Sequence, residues 1–331
     1  MSLRLLLMGT GTFALPAFRA LLESSHEVVG LVTQPDRSGR GHHRHPHPLK
    51  DLAAAHDVPV LQPDHINQSP WPDRLRGLQP DLSVVAAYGQ ILSAEVIEVA
   101  RLGAINLHAS LLPKYRGAAP IPYCILNGET ETGVSVFQIE PKLDAGHVLG
   151  MVRTPIQDNE TAGDLEARLA DLAADACGEV VERIQAGTAT AIAQDASQVS
   201  LAPRLTKAAG AIDWDQSPAE IGCHVRAMQP WPRAYTYWHT ADHVPQRLLI
   251  LETAARSVPE QTFPDTSPDT GRLPTRPGTI LVAAGRELAV QTGQGPVDIL
   301  RLQPEGKRKM DVSDFLCGHA ISVGDRLGSA D

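Results

Sequence analysis

Asn106 and His108 stand two residues apart in Gly103-Ala-Ile-Asn-Leu-His108, a stretch that reads as a β-strand. Residues two apart in a strand share a face. A carboxamide and an imidazole therefore lie side by side, while Ile105 and Leu107 point the other way. The carboxamide can donate hydrogen bonds without titrating, and the imidazole can exchange a proton near neutral pH. Acyl transfer to an amine without a covalent enzyme intermediate needs donors for an oxyanion and a group that takes and returns a proton. It also needs a carboxylate to orient the imidazole or hold a water. Asp144 fits that role, in the turn Leu143-Asp-Ala-Gly146 just past a strand. No Gly-x-Ser-x-Gly elbow occurs, so serine hydrolase chemistry is unsupported, and Ser110 reads as a loop hydrogen-bonder. Each of the three residues also has an ordinary structural alternative. A strand-end His is more often a satisfied core group, and a turn Asp or strand-end Asn usually caps the backbone.

The surrounding elements must place these groups. Residues 3–8 form a buried strand, Gly9-Thr-Gly-Thr12 a tight turn, and Phe18, Leu21 and Leu22 mark a helix over 14–24. Strands follow at 28–32, at 82–87 (running into Tyr88-Gly89) and at 103–108. Strands alternating with helices imply a mostly parallel, doubly wound sheet. Ligands of such sheets sit beyond the carboxyl ends of the strands, where His108 and Tyr88-Gly89 both fall. Gly9-x-Gly11-x-x-Ala14 matches a dinucleotide fingerprint, but Val32-Thr33-Gln34-Pro35 lacks the acid a ribose requires. That argues against an NAD-dependent oxidoreductase, and the glycines read as turn formers. Further along come a short helix over 121–127, closed by Gly128, an alternating strand over 134–139 and a strand over 148–152. A long helix opens at Thr161-Ala-Gly-Asp164 with the apolar stripe Leu165, Leu169, Leu172, Ala176, Val180 and Ile184, ending at Gly187.

Residues 188–211 carry little periodicity and read as a surface linker holding Arg204 and Lys207. Ser217-Pro-Ala-Glu220 is a capping box, and its helix runs to about Met228. Short strands at 234–239, 247–253, 278–282, 288–291 and 297–302 suggest a small antiparallel barrel. A Pro-rich tract at 259–277 interrupts it, and the basic cluster Lys307-Arg-Lys309 follows its last strand. The expected organisation is 1–187 as a catalytic domain, 188–211 as linker, 212–318 as the barrel and 319–331 as a tail.

The 331 residues suggest two domains, and the net charge of −9 argues against nucleic-acid binding by overall field. No apolar run is long enough to span a membrane, and the first one stops too early for a signal peptide. Four scattered cysteines show no metal-type pairing, so reduced thiols in a cytoplasmic protein are expected. The loop over 34–50 concentrates Arg37, Arg40, Arg44 and Lys50 against one acid, Asp36, with four histidines within six residues. A basic loop in an acidic protein points to phosphate contact. A metal tract lacks an ordered ligand shell, and a solvated surface loop is the alternative.

Asn106-Leu-His108-Ala-Ser-Leu-Leu-Pro113, with Asp144 downstream, resembles the hallmark of the folate-dependent formyltransferases, and the likeness extends along most of the chain. It takes in Thr33-Gln-Pro-Asp-Arg37 with Gly39-Arg-Gly41, Ala87-Tyr-Gly-Gln-Ile-Leu92 and Arg116-Gly-Ala-Ala-Pro-Ile121. Ile212-Asp-Trp214, Arg226-x-x-x-Pro-Trp-Pro232 and Leu302-Gln-Pro-Glu-Gly-Lys307 continue it. The resemblance implies an α/β Rossmann-like catalytic domain followed by an OB-like barrel. It makes Asn106, His108 and Asp144 catalytic. Ser110, Leu111, Leu112 and Pro113 would line the folate site, and Tyr88, Gly89, Gln90, Ile91 and Leu92 would hold the pterin by backbone groups. The implied donor is 10-formyltetrahydrofolate, without a metal, and the implied acceptor is the α-amine of methionine on initiator tRNA. Arg37, Arg40, Arg44, Arg204, Lys207 and Lys307 would contact that tRNA, and residues 116–121 would form the small-residue wall of the cleft. A monomer is expected. An amino sugar nucleotide is the alternative acceptor.

Overall fold

The computed structural model describes residues 2–36, 47–240, 243–256 and 276–330. The chain divides into two compact units, Met1–Ile121 with Thr130–Ile156 and Asp164–Arg204, and Pro122–Glu129 with Gln157–Gly163 and Leu205–Asp331.

The first unit is built on parallel strands β1 (Arg4–Gly9), β2 (Glu27–Val32), β3 (Val60–Leu61), β4 (Leu82–Ala86) and β5 (Ala104–His108). After the two-residue β6 (Arg116–Gly117), strands β7 (Glu131–Gln138) and β8 (Val148–Pro155) join the same sheet antiparallel. The order is β3-β2-β1-β4-β5-β7-β8. All five residues of β4 are buried, as are the last five of β1. This is the signature of parallel strands covered on both faces. Helices α1 (Leu15–Leu22), α2 (Pro48–Ala55), α3 (Trp71–Gly77) and α4 (Ala94–Ile97) lie in the connections between the parallel strands. The short α5 (Pro120–Leu126) follows β6, and the long α6 (Ala162–Gln185) follows β8. The fold class read from the sequence, a Rossmann-like doubly wound and mostly parallel sheet, is the one present.

Three local features differ from the sequence-based expectation. The loop expected over 34–50 gives way to α2 at Pro48, where a residue without an N–H suits a helix's first turn. β7 does not alternate, because Thr132 to Phe137 are all buried in a strand paired on both sides. The stripe of α6 is wider than expected and includes Ala173, Cys177 and Val181, while Leu172 and Ile184 are only half-buried. Burial pushes the Cys177 thiol up to about 12, so it behaves as an inert core residue.

Gly9, read from the sequence as a turn former, has a packing role as well. A Cβ there would lie 2.7 Å from both the Ala86 carbonyl oxygen and the Phe18 ring. Gly9 lets α1 approach the sheet.

The two-residue β9 (Leu201–Ala202) closes the first unit in chain order, paired with β6. In the second unit, α7 (Pro218–Ala227) opens with the expected capping box of Ser217 and Glu220. Strands β10 (Tyr235–Thr240), β11 (His243–Ala255), β12 (Ile280–Ala284), β13 (Glu287–Thr292), β14 (Gly295–Pro304) and β15 (Met310–Asp311) follow. Then come α8 (Val312–Gly318) and β16 (Arg326–Gly328). The antiparallel order is β12-β13-β14-β11-β10-β16. A bridge from Thr279 to Arg326 brings the first and last strands together. Register shifts near Glu252 bend β11, as bulges do, so the sheet curls into the expected OB-like barrel. β16 lies in residues 319–331, where the sequence carries no strand signal. Trp214 fastens it: its indole N–H donates to Thr236 at 3.0 Å, and the Thr236 hydroxyl donates to Gly328 at 3.1 Å.

Candidate active site

β5 ends at His108, with Asn106 one step back on the same face. The imidazole is 5% exposed and meets the ring of Phe137 edge-on. Its Nε2 lies 2.9 Å from the Tyr115 carbonyl oxygen. A carbonyl only accepts, so Nε2 carries the proton, and in the neutral ring Nδ1 keeps its lone pair. Nδ1 faces Asp144 Oδ2 at 3.8 Å. Burial holds His108 below its ordinary value of 6.5, and the Arg116 guanidinium acts in the same direction, while Asp144 and the Tyr115 carbonyl oppose them. Asn106 is half-buried, and among the described residues its carboxamide makes no hydrogen bond. Its N–H donors are available to a ligand.

Asp144 has φ of 44°, a left-handed conformation that Asp tolerates better than most side chains. Its surroundings over-determine it. Oδ2 accepts the Gly117 N–H at 2.8 Å, and the Gln194 amide donates to the carbonyls of both Asp144 and Gly146, each at 2.8 Å. Gly117 has φ of 125°, and a Cβ there would sit 2.6 Å from the Ala202 carbonyl oxygen. Only glycine lets β6 run beside β9 and present its N–H to the carboxylate.

The loop after His108 is pinned from within. Ser110 is fully buried and donates to the Lys114 carbonyl at 2.6 Å. Ser135 on β7 donates to the Ser110 carbonyl at 2.7 Å and accepts the Leu112 N–H at 3.0 Å. Leu112 packs with Phe137 and Val148. Leu111 and Pro113 stay half-exposed, so this stretch offers those two side chains outward while Ser110 and Leu112 support it from beneath. Ser135→Ala would strand two buried backbone groups and is expected to cost about 1–3 kcal/mol, measured by urea unfolding. A midpoint equal to wild type would remove Ser135 from this supporting role.

Tyr88 turns its ring into the core, where burial raises its phenol. Its carbonyl is taken by Gln34 at 3.1 Å, and that of Ile91 by Asn67 at 2.8 Å. Among the described residues, the N–H groups of Gly89, Gln90, Ile91 and Leu92 make no hydrogen bond. Gln90 spends its side chain on Ile66, Pro63 and Asp64, and Leu92 is buried. This edge therefore presents backbone donors, with Ile91 exposed beside them.

Of the basic residues singled out, Arg204, Lys207 and Lys307 are exposed, whereas Arg37, Arg40 and Arg44 lie outside the described residues. Lys50 is not a free cation: it pairs with Asp36 at 2.7 Å. His47, one of the four loop histidines, bonds Thr33 at 2.9 Å at the start of α2. Among the described residues no group of His, Cys, Asp and Glu has metal-binding geometry, and no helix is long and apolar enough to cross a membrane.

Sequence reasoning missed Gln194, Ser135 and Ser200. It also took Arg116 for part of a small-residue wall, whereas the side chain is buried and bonds Gln194.

Known proteins resemble this chain over nearly its whole length. The formyl transferase family matches residues 2–181, and the C-terminal domain of formyl transferases matches 204–320. The chain is 40% identical over 329 residues to a methionyl-tRNA formyltransferase of Geobacter sulfurreducens, covering 99% of this chain and 98% of the relative. It is 41% identical over 328 residues to that of Methylococcus capsulatus, covering 99% and 100%. A solved N-formyltransferase of Helicobacter canadensis, in complex with folinic acid and dTDP-3-aminofucose, shares the fold with a TM-score of 0.65 and 16% identity. That match covers 91% of this chain and 99% of the other. Spanning both of its domains and nearly the full length of these relatives, the chain belongs to the formyl transferase family.

Proposed function

We propose that the chain moves the formyl group of 10-formyltetrahydrofolate onto the α-amine of methionyl-initiator tRNA, giving N-formylmethionyl-tRNA. The carrying observation is the His108 Nδ1 and Asp144 pair at the end of β5, beside the unengaged Asn106 carboxamide. It occurs in a chain about 40% identical to methionyl-tRNA formyltransferases. As the amine nitrogen bonds to the formyl carbon, the carbonyl π electrons move to oxygen, and the Asn106 N–H donates to that oxyanion. His108 Nδ1 takes the amine's proton while Asp144 stabilises the imidazolium. When the bond to the folate nitrogen breaks, Nδ1 returns the proton to it.

For the folate, the donor set of Gly89, Gln90, Ile91 and Leu92 suits the carbonyl and ring-nitrogen acceptors of a pterin edge, with Leu111 and Pro113 supplying apolar lining. For the tRNA, Arg204, Lys207 and Lys307 would contact phosphates, joined by Arg37, Arg40 and Arg44. We assign catalysis to 1–187, tRNA binding to 212–318 through the 188–211 linker, with 319–331 after it, in a cytoplasmic monomer.

Reversing the charges of Arg204, Lys207 and Lys307 together is expected to raise KM for tRNA. It should also lower the slope of log affinity against log salt by about 1 for each phosphate no longer neutralised. Binding of a formyl-folate analogue should be unchanged. A small acceptor such as a sugar nucleotide amine would not respond to these charges, so an unaltered salt slope would contradict the tRNA reading.

A further inference from the structure

Gln194 lies in the segment that carries no secondary-structure signal, yet its amide is fully engaged. Oε1 accepts from Arg116 Nε at 3.2 Å and Nη2 at 2.7 Å. Nε2 donates to the carbonyls of Asp144 and Gly146. A guanidinium only donates and a carbonyl only accepts, so one orientation of the amide satisfies all four partners. Arg116 is 7% exposed, and among the described residues no carboxylate pairs with it. The same segment holds the other partner of the imidazole. Ser200 accepts the Tyr115 N–H at its hydroxyl, 2.9 Å, and the Arg116 N–H at its carbonyl, 2.9 Å. The Tyr115 carbonyl in turn accepts from His108.

We propose that Gln194 is a positioning residue: its amide, aimed by Arg116, fixes the 144–146 turn so that the Asp144 carboxylate stays opposite His108 Nδ1. This rests on the reading of His108 and Asp144 as the proton-transfer pair. The groups that face His108 are the Asp144 carboxylate, the Arg116 guanidinium, the Tyr115 carbonyl and the edge of Phe137. Gln194 touches none of the reacting atoms. It acts by holding a left-handed Asp in place.

Two substitutions separate positioning from simple anchorage. Gln194→Ala removes all four hydrogen bonds. Gln194→Glu keeps an acceptor for Arg116 but has no N–H for the two carbonyls. Both are expected to lower kcat by about 10- to 100-fold, with KM for both substrates changed by less than about 3-fold. In the Gln194→Ala protein, the His108 imidazole followed by NMR should titrate at lower pH than in wild type, because Asp144 no longer faces it. Wild-type kcat in Gln194→Glu would show that only the Arg116 bond matters and would overturn the proposal. So would an unchanged or raised imidazole midpoint in Gln194→Ala. The NMR reading needs no acceptor. If wild-type protein formylates no methionyl-tRNA, the functional reading fails, while the titration still decides for or against the positioning role.

Discussion

Asn106→Ala is expected to lower kcat by about 10²–10³-fold, the usual effect of removing one oxyanion donor, with KM for either substrate nearly unchanged. The side chain is half-buried, on the same face of β5 as His108, and has no hydrogen-bond partner among the described residues. Its donors therefore hold no structural partner that the substitution would disturb. The tetrahedral oxyanion carries far more charge than the ground-state formyl oxygen, so the missing hydrogen bond weighs on the transition state. Steady-state kinetics beside a thermal melt check this. A defect confined to KM, with kcat at wild-type level, would place Asn106 in substrate binding and leave the oxyanion without an assigned side-chain donor.

His108→Ala is expected to reduce kcat by about 10²-fold or more, since the amine's proton then has no acceptor in place. The pH profile gives a second reading. Burial and Arg116 hold this imidazole below 6.5, and Nδ1 must be unprotonated to act as base. Corrected for the ionisation of the acceptor amine itself, wild-type kcat/KM should therefore rise with pH through an acid limb centred below 6.5. In His108→Ala that limb should vanish. Near-normal turnover, or the same limb in the variant, would remove His108 from the mechanism. Some rate survives in either variant because positioning of the two substrates is independent of the proton acceptor.

The parts of this site that the sequence exposes are those set by local rules. The period of two along β5 puts Asn106 and His108 together, and the alternation of strands and helices places them at a carboxyl edge. Leu143-Asp-Ala-Gly146 is visible as a turn. What stays hidden depends on chain crossings. β6 and β9 are two residues each, too short for any periodicity, and they pair across a gap of more than eighty residues to bring Ser200 to Tyr115. Gln194 gives no pattern because it faces carbonyls, not a core. Ser135 sits in a strand whose burial is continuous, so nothing in the alternation marks it as polar by design. β16 escapes notice for the same reason as β9: its three residues are too few for any periodicity and become a strand by pairing with β10, where Thr236 also bonds Gly328.

Whether this chain formylates methionyl-tRNA is decided by the reaction itself. Purified protein, 10-formyltetrahydrofolate and methionyl-initiator tRNA are incubated, and formylation is read by acid gel or mass spectrometry, beside free methionine and a sugar nucleotide amine. N-formylmethionyl-tRNA is expected as the dominant product, with little or no formylation of the two small amines. Absence of formyl transfer to the tRNA, or preferential formylation of the sugar amine, would contradict the assignment.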